Sequence, residues 1–467
     1  MASMRRLTVV AAAIAIALWI WVCARALTGD LASPTKFGAA VCAILIILPL
    51  LLRYLGRLPV YMLALYAALV PFNDLLQTQN GATVNKLLAI ATGGALVISM
   101  LATRRVVPPS RTMYVLAALT LYVGATVFWA INQSDALTSY GIYLNYLLLF
   151  AAIALYPVTA ADLKLIIGAA IAGGLGAAAY GDYLFLYANQ GAHAYIANDT
   201  IDPNVYGATL LTPLALTVVL FLRSAMNRTK LLWLAAVLIA FSAMLVSASR
   251  GAMIAAVAML LYLSIRSRFQ KQFIALLPVA IVAIFASPVA SRFAESDAAT
   301  GNGRVEIWKV GLASLHQYWL FGAGIGNFPD AFAQYFLAVP HVVLPWDRVA
   351  HSVFVQSIVE YGVIGFVIVM AVWYCMFREL ETARAPAGVA DICEALRAGV
   401  LGLFVAGFSL DLMMYKYTWL TFSLVAVVRS YLVTTGVPLR SSQRERKKPR
   451  SGAPALGAAA YYPRPEP

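Results

Sequence analysis

The sequence predicts an all-α, polytopic integral membrane protein of about 12 to 14 transmembrane helices with one long, partly helical loop. Three observations predict it. Of 467 residues, 62% are hydrophobic and 12% charged, with a mean hydropathy of +0.80, whereas a soluble domain sits near half apolar and about a quarter charged. Runs such as 7–27, 84–102 and 112–131 are long enough to cross ~30 Å of hydrocarbon at ~1.5 Å per residue, and too continuous for period-2 barrel strands. Against this background, Ser291 to Ser352 is the only long stretch that reads neither as a span nor as a short connector.

Apolar runs between polar breaks occupy 7–27, 38–56, 58–72, 84–102, 112–131, 140–157, 162–187, 205–223, 231–248, 251–265, 272–289, 352–377, 395–412 and 417–435. That makes fourteen; the third is short and several are closely joined, so twelve also fits. The organisation expected is N-terminal spans over 1–290, a long loop over 291–351, C-terminal spans over 352–435 and a basic, disordered tail over 436–467. Met1 to Leu27 has the flavour of a signal peptide, but its apolar core is long and it reads as a retained first helix.

The orientation follows from the basic residues. Arg5/Arg6, Arg53/Arg57, Arg104/Arg105/Arg111, Arg223/Arg228/Lys230, Arg266/Arg268/Lys271 and Arg378/Arg384 share one face when the spans alternate, and so does the tail. By the positive-inside rule that face is cytoplasmic, both termini lie there, and 291–352 lies outside. The net charge of +14 is thus a topology signal, and no nucleic-acid partner is expected. Cys23, Cys42, Cys375 and Cys393 lack metal-ligand spacing and read as inert membrane residues. The chain has no internal repeat, Walker motif, His-Glu-x-x-His or dinucleotide fingerprint in a βαβ context. Energy must then come from the substrate itself or from a gradient.

Several residues carry chemistry on the outer face. Arg250, in Ser249-Arg250-Gly251, places a forked donor matched to phosphate oxygens at a boundary where the sorting rule disfavours positive charge; a snorkelling interfacial arginine is the plain alternative. Arg304 follows a glycine turn and precedes Trp308 on a short helix, and equally suits a solvated face paired through Glu306. His351 opens a span behind Arg348, where an imidazole can take a proton from a hydroxyl near neutral pH or simply cap a helix. Asp202-Pro203-Asn204 stands at the mouth of another span, as a helix start would. Lys416, between two late spans, is a further candidate phosphate contact. His193, His316 and His341 read as structural or surface residues. Gly322-Ala323-Gly324-Ile325-Gly326 reads as a tight turn. Two arginines and a histidine at one membrane surface fit transfer from a lipid-linked pyrophosphate, the arginines holding the leaving group and the histidine activating the acceptor.

In this order the motifs resemble those of the O-antigen ligase and polymerase superfamily of bacterial inner membranes. The matching pieces are Asp202-Pro203-Asn204, Ser249-Arg250-Gly251, Gly303-Arg304 with Trp308, Gly322-x-Gly324-x-Gly326-x-Phe328, and His351-Ser352 with Glu360 and Gly362. Ser352 stands where many members carry asparagine. The resemblance implies a GT-C-like membrane glycosyltransferase that needs no cofactor or metal and uses an undecaprenyl-pyrophosphate-linked glycan at a periplasmic loop. It implies that His351 is the general base, that Arg250 and Arg304 bind pyrophosphate, and that the anomeric centre inverts. Asp202, Asn204, Trp308, Arg348 and Lys416 are candidate substrate contacts. The dominant single loop and short tail favour lipid A-core as acceptor over a second lipid-linked chain (a polymerase) or a protein. A polytopic transporter is the reading from another class; a repeat and intramembrane charge pairs would favour it.

Overall fold

A computed structural model describes residues 56–73, 83–187, 203–225, 227–287, 290, 303–339, 348–381 and 385–437. Among them the chain is helical: α1 Leu58–Leu69, α2 Val84–Thr103, α3 Arg111–Thr126, α4 Gln133–Leu155, α5 Ala160–Tyr187, α6 Pro203–Arg223, α7 Arg228–Val246, α8 Arg250–Arg266, α9 Gln270–Phe285, α10 Arg304–Ala313, α11 Leu315–Tyr318, α12 Phe328–Tyr335, α13 Val353–Glu379, α14 Ala387–Ala406 and α15 Lys416–Thr434. The runs 7–27 and 38–56 and the tail fall almost wholly outside the described residues. Each of the other twelve runs coincides with a helix. Six helices, α2, α4, α5, α6, α7 and α13, have both the length and the apolar composition of a membrane span, and α1 with its 3-10 extension and α9 are shorter apolar helices.

Polar caps set where helices begin. Thr83, Ser110, Asn132, Asn227, Ser249 and Ser352 each accept a backbone N–H from the first turn of α2, α3, α4, α7, α8 and α13, satisfying donors with no partner inside the helix. The helices are apolar on both faces. In α7 the small residues Ala236, Ala240 and Ala243 are buried while Leu231, Leu232 and Leu238 are exposed. That is the reverse of a soluble helix and the pattern of one packed through small residues with its leucines toward lipid. α6 sits at the centre, packed on α14, α7, α8 and α5; α13 lies on α3 and α14; α15 lies on α4 and α14.

α13 is broken at Gly362, whose φ of 63° and ψ of −172° are not helical. The turn formed by Trp319 to Gly324 fills the break. Val359 and Glu360 lose their helical partners, and their carbonyls accept instead from Ala323 N–H (2.8 Å) and Gly324 N–H (2.9 Å). Tyr361 C=O accepts from Tyr122 Oη at 2.8 Å. In return Val363 N–H donates to Trp319 C=O at 2.8 Å. A break in a span survives only when every freed group is satisfied like this. The close approach explains the glycines: a Cβ on Gly322 would collide with Glu360 C=O, and one on Gly362 with Leu320 C=O.

Candidate active site

Four segments meet at one end of the bundle. Arg250 is the first residue of α8, capped by Ser249, which accepts Ala252 N–H at 3.1 Å and donates from Oγ to Asn204 Oδ1 at 2.6 Å. α6 and α8 therefore begin side by side. A Cβ on Gly251 would strike Ser409 Oγ, so the start of α8 also lies against the α14–α15 link. That link holds α13: Val353 N–H is shared between Gly407 C=O and Leu410 C=O, both at 2.9 Å. His351 and the cap Ser352 immediately precede Val353. The fourth segment is α10, opened by Arg304, where Trp308 donates Nε1–H to Ala350 C=O at 2.9 Å. An unbroken series of contacts thus joins Arg304 and Trp308 to His351, then to the 407–410 link, then to Arg250 and Asn204.

The backbone is left-handed at His351 and shortly before Arg250 and Arg304. Among the described residues only Arg104, Ala248 and His351 have positive φ without being glycine. Arg104 merely ends α2; Ala248, at φ 51°, sets up Arg250, and His351 itself is at φ 46°. Gly303, at φ 78°, leads into Arg304. Left-handed backbone at an alanine or histidine is sterically costly, and such conformations collect at functional sites. The charges are also placed against local stability. Arg250, Arg304 and Lys416 each occupy the first position of a helix, where the macrodipole is positive and disfavours a cation. An anion there is favoured by the side chain and by the dipole together.

The remaining predicted residues are placed as follows. Arg348 precedes His351, and its Nε is buried with no hydrogen-bond partner among the described residues. Lys416 donates to Asn73 Oδ1 and to Thr83 Oγ1 (2.9 Å), at the far side of α6 from Arg250. Asp202, His193 and His341 lie outside the described residues. Ser352 caps α13 by accepting Val355 N–H at 3.5 Å, so serine fills the role expected of the cap at that position.

Sequence reasoning named Glu360 among the motif residues but missed the line of polar groups it belongs to behind His351. Gln356, one turn into α13, donates to Glu360 Oε1 at 3.0 Å, and Glu360 in turn accepts Phe328 N–H at the start of α12 (3.3 Å). Gln356 also bonds Asp411 on the α14–α15 link, whose carboxyl is pushed up to about 7 by burial, against the lowering effect of Gln356 and Met413 N–H. The sequence run 395–412 hid Asp411 inside an expected span. α14 in fact ends at Ala406, and Gly407 to Asp411 form the link that receives α13.

The fold is that of a helical chain with six span-like helices, consistent with a polytopic membrane protein, and one end of it brings the starts of α8 and α10 toward a left-handed histidine. Residues 235–370, which include Arg250, Arg304 and His351, match the O-antigen ligase family model. The match covers under a third of the chain and supports a relation of this segment to the O-antigen ligase/polymerase superfamily. Comparison with curated proteins finds no match.

Proposed function

We propose that the protein is an O-antigen ligase: it transfers O-antigen polysaccharide from undecaprenyl pyrophosphate to a sugar hydroxyl of lipid A-core, at the periplasmic face of the bacterial inner membrane. The observation that carries the reading is that Arg250 begins α8 against the 407–410 link, that His351 lies two residues before Val353, which the link holds, and that α10, begun by Arg304, is joined to Ala350 through Trp308. His351 removes the proton from the acceptor hydroxyl as its oxygen attacks the anomeric carbon. The bond from that carbon to the pyrophosphate oxygen breaks, and the electron pair leaves with undecaprenyl pyrophosphate. Arg250 and Arg304 stabilise the charge that grows on the leaving group, with donors fixed before the reaction begins. In-line displacement inverts the sugar. Pyrophosphate is already a good leaving group, so the scheme draws on no nucleotide and no metal. The distribution of Lys and Arg supports cytoplasmic termini, the apolar runs support 12 to 14 spans, and the GT-C-like arrangement is what the resemblance to the family implies.

The test is reconstitution of the purified full chain with lipid-linked glycan and three acceptors in parallel: lipid A-core, a second lipid-linked glycan and a protein. Transfer to lipid A-core in chelator without nucleotide is the expected result. Transfer only to lipid-linked glycan makes it a polymerase, transfer only to protein makes it a protein oligosaccharyltransferase, and a requirement for nucleotide or metal overturns the mechanism.

A further inference from the structure

On the other side of α6 from Arg250 lies a cavity of about 730 Å³ between α1, α2, α4, α6 and α15. Its lining follows α2 from Asn85 to Ile98, a length of ~20 Å at ~1.5 Å per residue. The depth is apolar, with Gly93 and Gly94 leaving space opposite Leu149. The other end is polar and cationic: Lys416, held by Asn73 and Thr83, and the exposed Lys86. Among the described lining residues there is no aspartate or glutamate. Ile90 on α2 and Leu148 on α4 line the cavity and are 51% and 59% exposed, so it opens sideways between two membrane spans.

We infer that this cavity takes the polyprenyl chain of the lipid-linked donor, with the phosphate nearest the chain at Lys416. The inference rests on the proposed transfer from a polyprenyl pyrophosphate and extends it to a second set of residues. One continuous apolar channel, open to the bilayer and ending in cations without a carboxylate, fits a single long apolar chain with an anionic head. A multi-chain lipid needs several such channels. The cavity adjoins the site in two places. Val205 and Tyr206 line it one and two residues beyond Asn204, the partner of Ser249; Met414 and Tyr415 line it just beyond the link that holds α13. A donor lying in it has its chain-proximal phosphate at Lys416, the first residue of α15, just beyond the link that holds α13.

The experiment uses the purified full chain in nanodiscs and a benzophenone-bearing geranylgeranyl diphosphate, with crosslinks mapped by peptide mass spectrometry. Labelling is expected on α2 and α4, displaced by undecaprenyl phosphate and not by phosphatidylglycerol or lipid A. A side chain at position 94 meets no atom within 4 Å at its Cβ, so Gly94→Phe folds, fills the channel and cuts labelling about tenfold or more. Lys416→Gln weakens binding of the diphosphate about tenfold, the loss of one charge-assisted hydrogen bond, and leaves the uncharged geranylgeraniol analogue unaffected. Labelling elsewhere, undiminished labelling of Gly94→Phe, or equal displacement by phosphatidylglycerol or lipid A overturns the assignment. The two readings fail separately. Glycan transfer without labelling of the cavity overturns the chain site alone, whereas cavity labelling in a protein that transfers glycan to no acceptor overturns the proposed function alone.

Discussion

The two ends of the helical bundle use their charged residues in opposite ways. At the end away from the site, where α1, α5 and α14 begin and α8, α13 and α15 end, lie all five ion pairs formed between described residues: Arg57–Asp162, Arg268–Asp391, Arg378–Glu381, Arg397–Glu394 and Arg429–Glu379. There Arg57–Asp162, Arg268–Asp391 and Arg429–Glu379 tie separate segments together, and the other two pairs lie within one helix or helix end. At the site end Arg250, Arg304 and Lys416 stand at helix starts, where the dipole adds to their charge. One end joins its cations to carboxylates; at the other, three cations begin helices.

The largest expected effect comes from removing the histidine. His351→Ala lowers glycan transfer by about a hundredfold or more, the usual contribution of a general base, with normal protein level in membranes. Because position 351 is left-handed, His351→Asn is the better-folded control, and it is equally inactive. Normal polysaccharide ligation in both variants removes the catalytic role. Next come the arginines. Arg250→Lys and Arg304→Lys keep the charge but lose the fork, and each lowers transfer about tenfold; ligation at wild-type rates in both would place the pyrophosphate elsewhere.

At the opposite end the effects fall on stability. Arg429 and Glu379 form a pair with side chains only 9% and 11% exposed, so Glu379→Gln strands a buried cation and costs about 3 kcal/mol. This is read as a lower melting temperature in detergent, with activity per folded molecule preserved. Arg378→Ala, which breaks a half-exposed pair within one helix end, costs less than about 1 kcal/mol. Equal losses in the two variants would break the contrast between buried cohesion and surface decoration.

The smallest effect is a pH dependence. Asp411, pushed up to about 7 by burial, is ~3.9 when unfolded. The folded protein therefore holds a proton that the unfolded chain has lost between those values, so this group makes stability fall as pH rises from about 4 to 7. Asp411→Asn flattens that part of the melting curve against pH. An unchanged slope would assign the dependence to another group.

The helices were legible because each apolar run carries its own signal, and a cap such as Ser249 or Asn132 marks its start. Arg250, Arg304 and His351 were legible because a charge or imidazole at the outer rim of so apolar a chain is conspicuous. What escaped is non-local. Nothing within Val359 to Ile364 says that its carbonyls bond a turn some forty residues upstream. Asp411 stood among Phe408, Leu410 and Leu412, so the run read as one continuous span, although the chain there leaves the helix to receive Val353 N–H. The cavity beside Lys416 is likewise assembled from five helices, none of which shows a groove by itself.

The break at Gly362 also makes α13 electrically two helices. The segment from Val353 to Tyr361 ends its own dipole in mid-helix, where the N–H groups of Ala323 and Gly324 and the hydroxyl of Tyr122 meet its carbonyls. The positive end beside His351 is thus compensated locally, a few turns away, instead of at the far surface of the membrane.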